Sequence, residues 1–286
     1  MAEITAQMVK TLRDKTGAGM ADCKKALVDA NGSMEEAIEI LRKKGAASAA
    51  KRADRVASEG IIATRLSDDH KLAAIVEVNC ETDFVARNAE FESYVNKIAD
   101  ALIANEINNL DELMKIKVGE DTIEGIHNEI LAKFGEKIGV SRFERIKSNG
   151  TIATYNHAGN KLAVVIEASA PNFNDEAYAL LRDIAMQIAA MNPQFISRND
   201  VDQATLDKEK EIYVQQAIDS GKPADIAERI AVGKLEKFYQ EQCLVEQSFV
   251  KDANKTVGDV LKEISNLVGT DVTILSFRRY LLGEKN

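Results

Sequence analysis

Apolar residues recur at helical spacing through the first forty positions, then change rhythm. Met8, Val9 and Leu12 follow Thr5, a natural cap for a first helix that Thr16-Gly17-Ala18-Gly19 breaks. A second helix runs from about Met20 through Cys23, Ala26, Leu27 and Ala30. Asn31-Gly32 ends it with a pair that tolerates left-handed backbone angles. Ser33 and Glu36 then stand at capping-box spacing ahead of Ala37, Ile38 and Leu41, the buried face of a third helix. Three short helices in so few residues make a small bundle.

Beyond the bundle the pattern repeats itself. Gly60 to Glu77 aligns with Gly150 to Glu167 at a constant offset of ninety residues, with identities at Gly60/Gly150, Ile62/Ile152, Thr64/Thr154, Lys71/Lys161, Leu72/Leu162 and Glu77/Glu167 among others. Each copy reads as a short strand, a polar turn and a second strand rich in β-branched residues. A helix follows around Phe91 to Ile103 or Glu176 to Met191, and Ile98-Ala99 and Ile188-Ala189 keep the offset inside it. Two related subdomains are implied, each an antiparallel sheet covered by helices.

After Asn192-Pro193, the positions Leu206, Ile212, Tyr213, Ala217 and Ile218 mark a long amphipathic helix. Ser220-Gly221-Lys222-Pro223 stops and restarts it, and Ile226, Ile230, Leu235 and Phe238 stripe the next. This αα-hairpin either packs on itself or offers a second apolar edge to a partner or to another copy of the chain. Thr256 then caps a helix through Leu267, and Val272 to Tyr280 reads as a final strand. The fold class is therefore α+β: an N-terminal three-helix bundle, two duplicated α+β core subdomains with antiparallel sheets, and an inserted coiled-coil hairpin. The divisions fall at 1–55 for the bundle and its basic linker, 56–145 and 146–286 for the subdomains, and about 201–240 for the hairpin.

Composition narrows the function classes. A formal charge of -9, with 37 Lys and Arg against 46 Asp and Glu, opposes attraction to a phosphate backbone, so direct nucleic-acid binding is not expected. With no Trp and 5% aromatics, a base-stacking surface is equally unexpected. The opening Met1-Ala2-Glu3-Ile4-Thr5 lacks a signal pattern and no stretch approaches a membrane span, which points to the cytoplasm and to no membrane partner. Cys23, Cys80 and Cys243 are odd in number and far apart, the usage of reduced thiols. Arg42, Lys43, Lys44, Lys51, Arg52 and Arg55 lie among Ala, Ser and Gly, as in a solvated neck or a basic patch.

Candidate chemistry concentrates where the second strand meets the helix. The first copy has Cys80-Glu81-Thr82-Asp83-Phe84-Val85-Ala86-Arg87, whereas the second has Ala170-Pro171-Asn172-Phe173-Asn174-Asp175. Phe beside Asp at such a turn either plugs the core and caps the helix or binds a partner. An enzyme would need Cys80 as nucleophile with His70, His127 or His157 as base. The chain has no G-x-x-x-x-G-K-[ST] loop, since Gly221-Lys222-Pro223 and Gly283-Glu284-Lys285 are only a turn and a tail, and no cofactor is expected.

The bundle resembles the ubiquitin-associated (UBA) type of module, which makes a ubiquitin-binding adapter a rival reading. Two longer motifs point elsewhere. Leu12-Arg13-Asp14-Lys15-Thr16-Gly17-Ala18-Gly19-Met20-Ala21-Asp22-Cys23-Lys24-Lys25-Ala26-Leu27 and Glu77-Val78-Asn79-Cys80-Glu81-Thr82-Asp83-Phe84-Val85-Ala86-Arg87 are similar to the two signature motifs of the bacterial elongation factor Ts family, in the family's order. That resemblance implies a guanine-nucleotide exchange factor for elongation factor Tu. Its N-terminal module would dock on the partner's nucleotide-binding domain through Leu12, Met20 and Lys24. Thr82, Asp83, Phe84 and Val85 would be associated with loss of the partner's Mg²⁺ ion.

The resemblance also implies contacts at Phe134-Gly135, where many members have Ile-Gly, at His157 in Tyr155-Asn156-His157, and at Val250. Lys251 stands where a Met is familiar. The added C-terminal helix of some members is expected to be missing. A homodimer, or a heterotetramer with the partner, would form through the hairpin.

Overall fold

The computed structural model describes residues 4–50, 52 and 54–284. Met1, Ala2, Glu3, Lys51 of the basic stretch and Lys285 of the tail lie outside the described residues. Helices α1 (Ala6–Thr16), α2 (Met20–Asp29) and α3 (Met34–Ala50) enclose Val9, Leu12, Cys23, Ala26, Leu27, Ala37 and Leu41 in a core of their own. Thr5 caps α1 by accepting from Met8 N, and Gly17 ends it in the left-handed region at φ 66°. Ser33 Oγ takes the backbone N–H of Glu36 at the start of α3.

The basic stretch keeps Lys43 and Lys44 exposed but is anchored at Arg42. α3 runs on through Ala50, and Arg42 pairs with Asp121 at 2.7 Å and Glu129 at 2.5 Å. Both carboxylates are taken by the same guanidinium nitrogen, Nη2. Gly45 lies against Ala132, where an added Cβ would sit 3.1 Å from that residue's methyl.

The first core copy comprises β1 (Glu59–Leu66), β2 (Leu72–Cys80), a single turn α4 (Asp83–Ala86), α5 (Ala89–Ala104), α6 (Leu110–Lys115), the two-residue strands β3 (Lys117–Val118) and β4 (Asp121–Thr122), α7 (Ile123–Phe134) and β5 (Gly139–Lys147). Its sheet has the order β1-β2-β5 and is antiparallel throughout. The second copy comprises β6 (Thr151–Asn156), β7 (Leu162–Ala168) and α8 (Asp175–Met191), then α9 (Gln203–Asp219) and α10 (Ala224–Gln242), then β8 (Ser248–Phe249), β9 (Asp252–Thr256), α11 (Val257–Val268) and β10 (Ile274–Leu281). The order there is β10-β7-β6, again antiparallel.

The repeat extends further than its strands announce. Thr122 caps α7 and Thr256 caps α11, while Gly135 and Gly269 end those helices with φ of 69° and 79°. Thr122 and Thr256 are 134 positions apart, against 90 for the paired strands, so 44 extra residues enter between α8 and β8. Most of them form the hairpin α9–α10. Ala217, Ala227 and Ala231 are buried in it, while the bulkier Ile212, Ile218, Ile226 and Val232 stay exposed. Lys210 bridges to Glu228 at 3.0 Å across it, and Arg198 ties its base to Glu246 at 2.6 Å.

The two sheets pack back to back about a pseudo-twofold axis. Ile62 N donates to Asn160 O at 2.7 Å and Ile152 N donates to His70 O at 2.8 Å, which are the same bond transposed by ninety residues. Ile62, Ala73, Ile75, Ile152, Ala163 and Val165 fill the layer between the sheets. The outer faces bury α5 and α7 in one copy and α8 and α11 in the other. Gly60 and Gly150 open β1 and β6 where a side chain would collide with the Val78 or Ala168 carbonyl, which explains the repeated glycine. Among the described residues no helix is long and apolar enough to cross a membrane.

Candidate functional site

Chain geometry builds the Thr82–Val85 turn from both of its ends. β2 delivers Cys80 into the core, where its thiol donates to Thr82 O at 3.2 Å. Thr82 caps α4 by accepting from Val85 N at 3.4 Å. On the far side Gly135 ends α7 in the left-handed region and turns the chain so that Glu136 faces the same place. The Glu136 carboxylate accepts from Glu81 N and Thr82 N, both at 3.1 Å, and from Thr82 Oγ1 at 2.7 Å. Glu81 returns the bond by accepting from Lys137 N. Its carboxyl is held below the ordinary range mainly by that N–H and next by Arg55.

Phe84 is 82% exposed at the tip of this turn. Burial of Val85 and Ala86 beneath it fixes the turn to the core, and Asp83 pairs with Arg87 at 3.3 Å on its surface. An exposed Phe on a fixed backbone loses little stability when removed, so the core-plug reading of this residue is closed. Phe134 is packed against the first core beside Gly135.

The other predicted residues fall into two groups. Met20, 46% exposed, and Lys24 line a groove of about 510 Å³ on the bundle together with Ile4, Ala6, Val9 and Ala21. Leu12 is corrected: it is fully buried in the bundle core and has no surface to offer. His157 and Val250 meet at a second groove of about 450 Å³, lined also by Tyr155, Leu162, Met186, Ala189, Ala190 and Lys251. Tyr155 OH lies 3.0 Å from His157 Nδ1, and Lys251 is drawn to Asp183 at 2.6 Å.

Two positioning side chains went unread in the sequence, Glu136 and Gln187. Gln187 is fully buried and its Oε1 accepts from Val250 N at 2.8 Å, which sets the Val250 loop on α8. A Gln on the inner side of a predicted helix was the available signal.

Nucleophilic chemistry finds no support at Cys80. Burial, and after it the nearby Glu136 charge, push its thiol up to about 12. The thiolate is therefore scarce at neutral pH. The histidines are engaged elsewhere: His127 with Tyr94 OH at 2.6 Å, His157 with Tyr155, and His70 stacked on Tyr178 at 4.2 Å.

Comparison with known proteins now decides the family. The family described as Elongation factor TS matches residues 81–284, from the Glu136-bound turn to the end of the second sheet. The chain belongs to the elongation factor Ts family. Elongation factor Ts of Chloroherpeton thalassium is 48% identical over the whole of both chains. That of Clostridium kluyveri is 47% identical and that of Clostridium perfringens 45%, each over 98% of this chain and 93% of the relative. The family match takes in the turn, the second groove and the hairpin but begins after the bundle. The relatives cover the bundle as well.

Proposed function

We propose that this chain is the guanine-nucleotide exchange factor for elongation factor Tu in the cytoplasm, acting without a nucleotide site or covalent chemistry of its own. It binds the GDP form, disturbs the Mg²⁺ and phosphate site, and promotes GDP release so that GTP can enter. The observation that carries this reading is Phe84, a bare aromatic on a turn held rigid from two sides. Family membership supports it.

The physics required is modest. A factor that binds the nucleotide-free GTPase more tightly than the GDP form must weaken GDP by the same factor, because linkage is reciprocal. Mg²⁺ is an apt target, since its near-octahedral shell tolerates little displacement. In this reading Thr82, Asp83, Phe84 and Val85 enter the partner beside that ion, with Phe134 and Gly135 at the margin. Residues 1–55 form a UBA-like module and its linker. That module docks through Met20 and Lys24, with Leu12 supporting the face from beneath. Subdomains 56–145 and 146–286 grip separate parts of the partner, the second through His157 and Val250. The hairpin, about 201–240, serves as a coiled coil joining two copies into a homodimer or a heterotetramer with the partner.

Substoichiometric chain added to elongation factor Tu carrying a fluorescent GDP, with free nucleotide in excess, is expected to accelerate release with many turnovers per molecule. Release that tracks only a stoichiometric complex defeats the exchange reading.

A further inference from the structure

We propose that Glu136 is a positioning residue for exchange: its carboxylate locks the Glu81–Thr82 backbone and so aims Phe84. This rests on the reading above that Phe84 enters the partner. Three donors converge on the one carboxylate, two backbone N–H groups and the Thr82 hydroxyl, and Glu81 reciprocates on Lys137 N. The two segments, 81–82 and 136–137, thus clasp each other with one carboxylate apiece. Charge-assisted bonds of this kind are stronger and shorter than neutral ones, and they fix direction as well as distance. An aromatic anchor is useful to a partner only if its conformational freedom has been removed beforehand.

The second copy argues for a dedicated device. Glu136 corresponds to Thr270 there, at the spacing of 134 that relates Gly135 to Gly269. That copy's turn is tied instead by Asn174 Nδ2 to Leu267 O at 3.2 Å, and its Phe173 packs on the subdomain core. The carboxylate clasp is thus found in the copy that presents an exposed Phe.

The experiment measures GDP release against concentration of the full-length chain, separating the saturating rate from the half-saturating concentration, alongside a urea midpoint. Glu136→Ala is expected to lower the saturating rate about three- to tenfold on the scale of lost charge-assisted bonds, with half-saturation little changed because the two grooves are intact. Glu136→Gln is expected to restore the rate to within about twofold, since one amide oxygen keeps both backbone N–H donors and the hydroxyl can turn to accept. Should the Ala variant fail to fold, Glu136→Asp keeps the charge but falls short by a methylene, and the same loss is expected. Phe84→Ala combined with either defective variant is expected to match Phe84→Ala alone. A normal rate in Glu136→Ala or Glu136→Asp overturns the proposal, as does a Gln variant as slow as Ala or a double variant whose losses multiply. If Phe84→Ala itself exchanges normally, it is the reading of Phe84 that fails.

Discussion

The two core copies share a scaffold bond for bond across the pseudo-twofold, yet their edges have diverged in opposite senses. The first copy is convex at its strand-to-helix turn, where Phe84 stands out; the second has Phe173 folded in. At the crevice between hairpin and helix the relation reverses. Arg65 in the first copy reaches across to Asp100 and to Asn96 Oδ1, the latter at 3.0 Å, and spans the crevice. Their counterparts at the ninety-residue offset are Tyr155, Ala190 and Met186, which leave a groove open beside His157 and Val250. Duplication thus kept the buried layer and freed the surface to specialise, because packing constrains the first and only solvation constrains the second.

The largest expected effect sets Phe84 against Phe173. Phe84→Ala is expected to slow GDP release by roughly tenfold or more, as for an anchoring aromatic at an interface, with the urea midpoint unchanged. Phe173→Ala is expected to do the reverse, costing about 1–3 kcal/mol of stability for a partly buried ring and leaving exchange near normal. A Phe84→Ala protein that unfolds early but exchanges well would erase the distinction between the copies.

The groove provides a smaller test. Tyr155→Arg with Ala190→Asp rebuilds in the second copy the bridge that spans the first. Closing the groove is expected to weaken binding to nucleotide-free elongation factor Tu about three- to tenfold, read by calorimetry. Arg65→Ala, which opens the first crevice, is expected to leave the affinity where it was. Equal effects from the two changes would show that the crevices do not differ in role.

How much of this was readable beforehand depended on whether the signal was local. The caps at Thr5 and Thr256, the Asn31-Gly32 stop and the β1–β2 and β6–β7 hairpins lie within a few residues of what sets them, and all appear as read. β5 was missed because its residues do not alternate: Arg142 pairs with buried Glu77 of the neighbouring β2 at 2.7 Å, and Glu144 with Arg278 of the other sheet at 2.6 Å. α7 and the full repeat were missed because the 44-residue insertion shifts the offset midway. Arg42 read as solvated because its carboxylate partners, Asp121 of β4 and Glu129 of α7, lie some eighty positions away in sequence. Leu12 read as both core and contact, since it stands in the apolar stripe of the first helix and also in the first motif. Glu136, in the turn after α7, and Gln187 of α8 bond backbone groups of distant segments, so local spacing could not name their partners.

The smallest effect lies where α7 packs on α5 over the outer face of the sheet, and there the copies differ by a polar pair. His127 of α7 and Tyr94 of α5 form their 2.6 Å bond in the first copy, where the same positions of the second hold Leu261 and Ile184, both apolar and buried. Burial pushes His127 from its ordinary 6.5 down to about 4. The unfolded chain therefore takes up a proton near pH 6.5 while the folded chain resists until near pH 4. It follows that stability from neutral His127 is complete above about pH 6.5 and is lost as pH falls between the two values. Moving from pH 7 to pH 5 is expected to cost about 1–2 kcal/mol through this residue. Urea midpoints at the two pH values measure it, with Tyr94→Phe combined with His127→Leu as the reference that imports the second copy's apolar chemistry. Changing His127 alone would strand the Tyr94 hydroxyl without its partner and blur the comparison, which is why both are changed. The double variant is expected to lose less stability than the parent over this interval. Equal losses would mean that His127 takes up its proton in the folded chain as readily as in the unfolded one, and that the acid sensitivity of the first copy has another source.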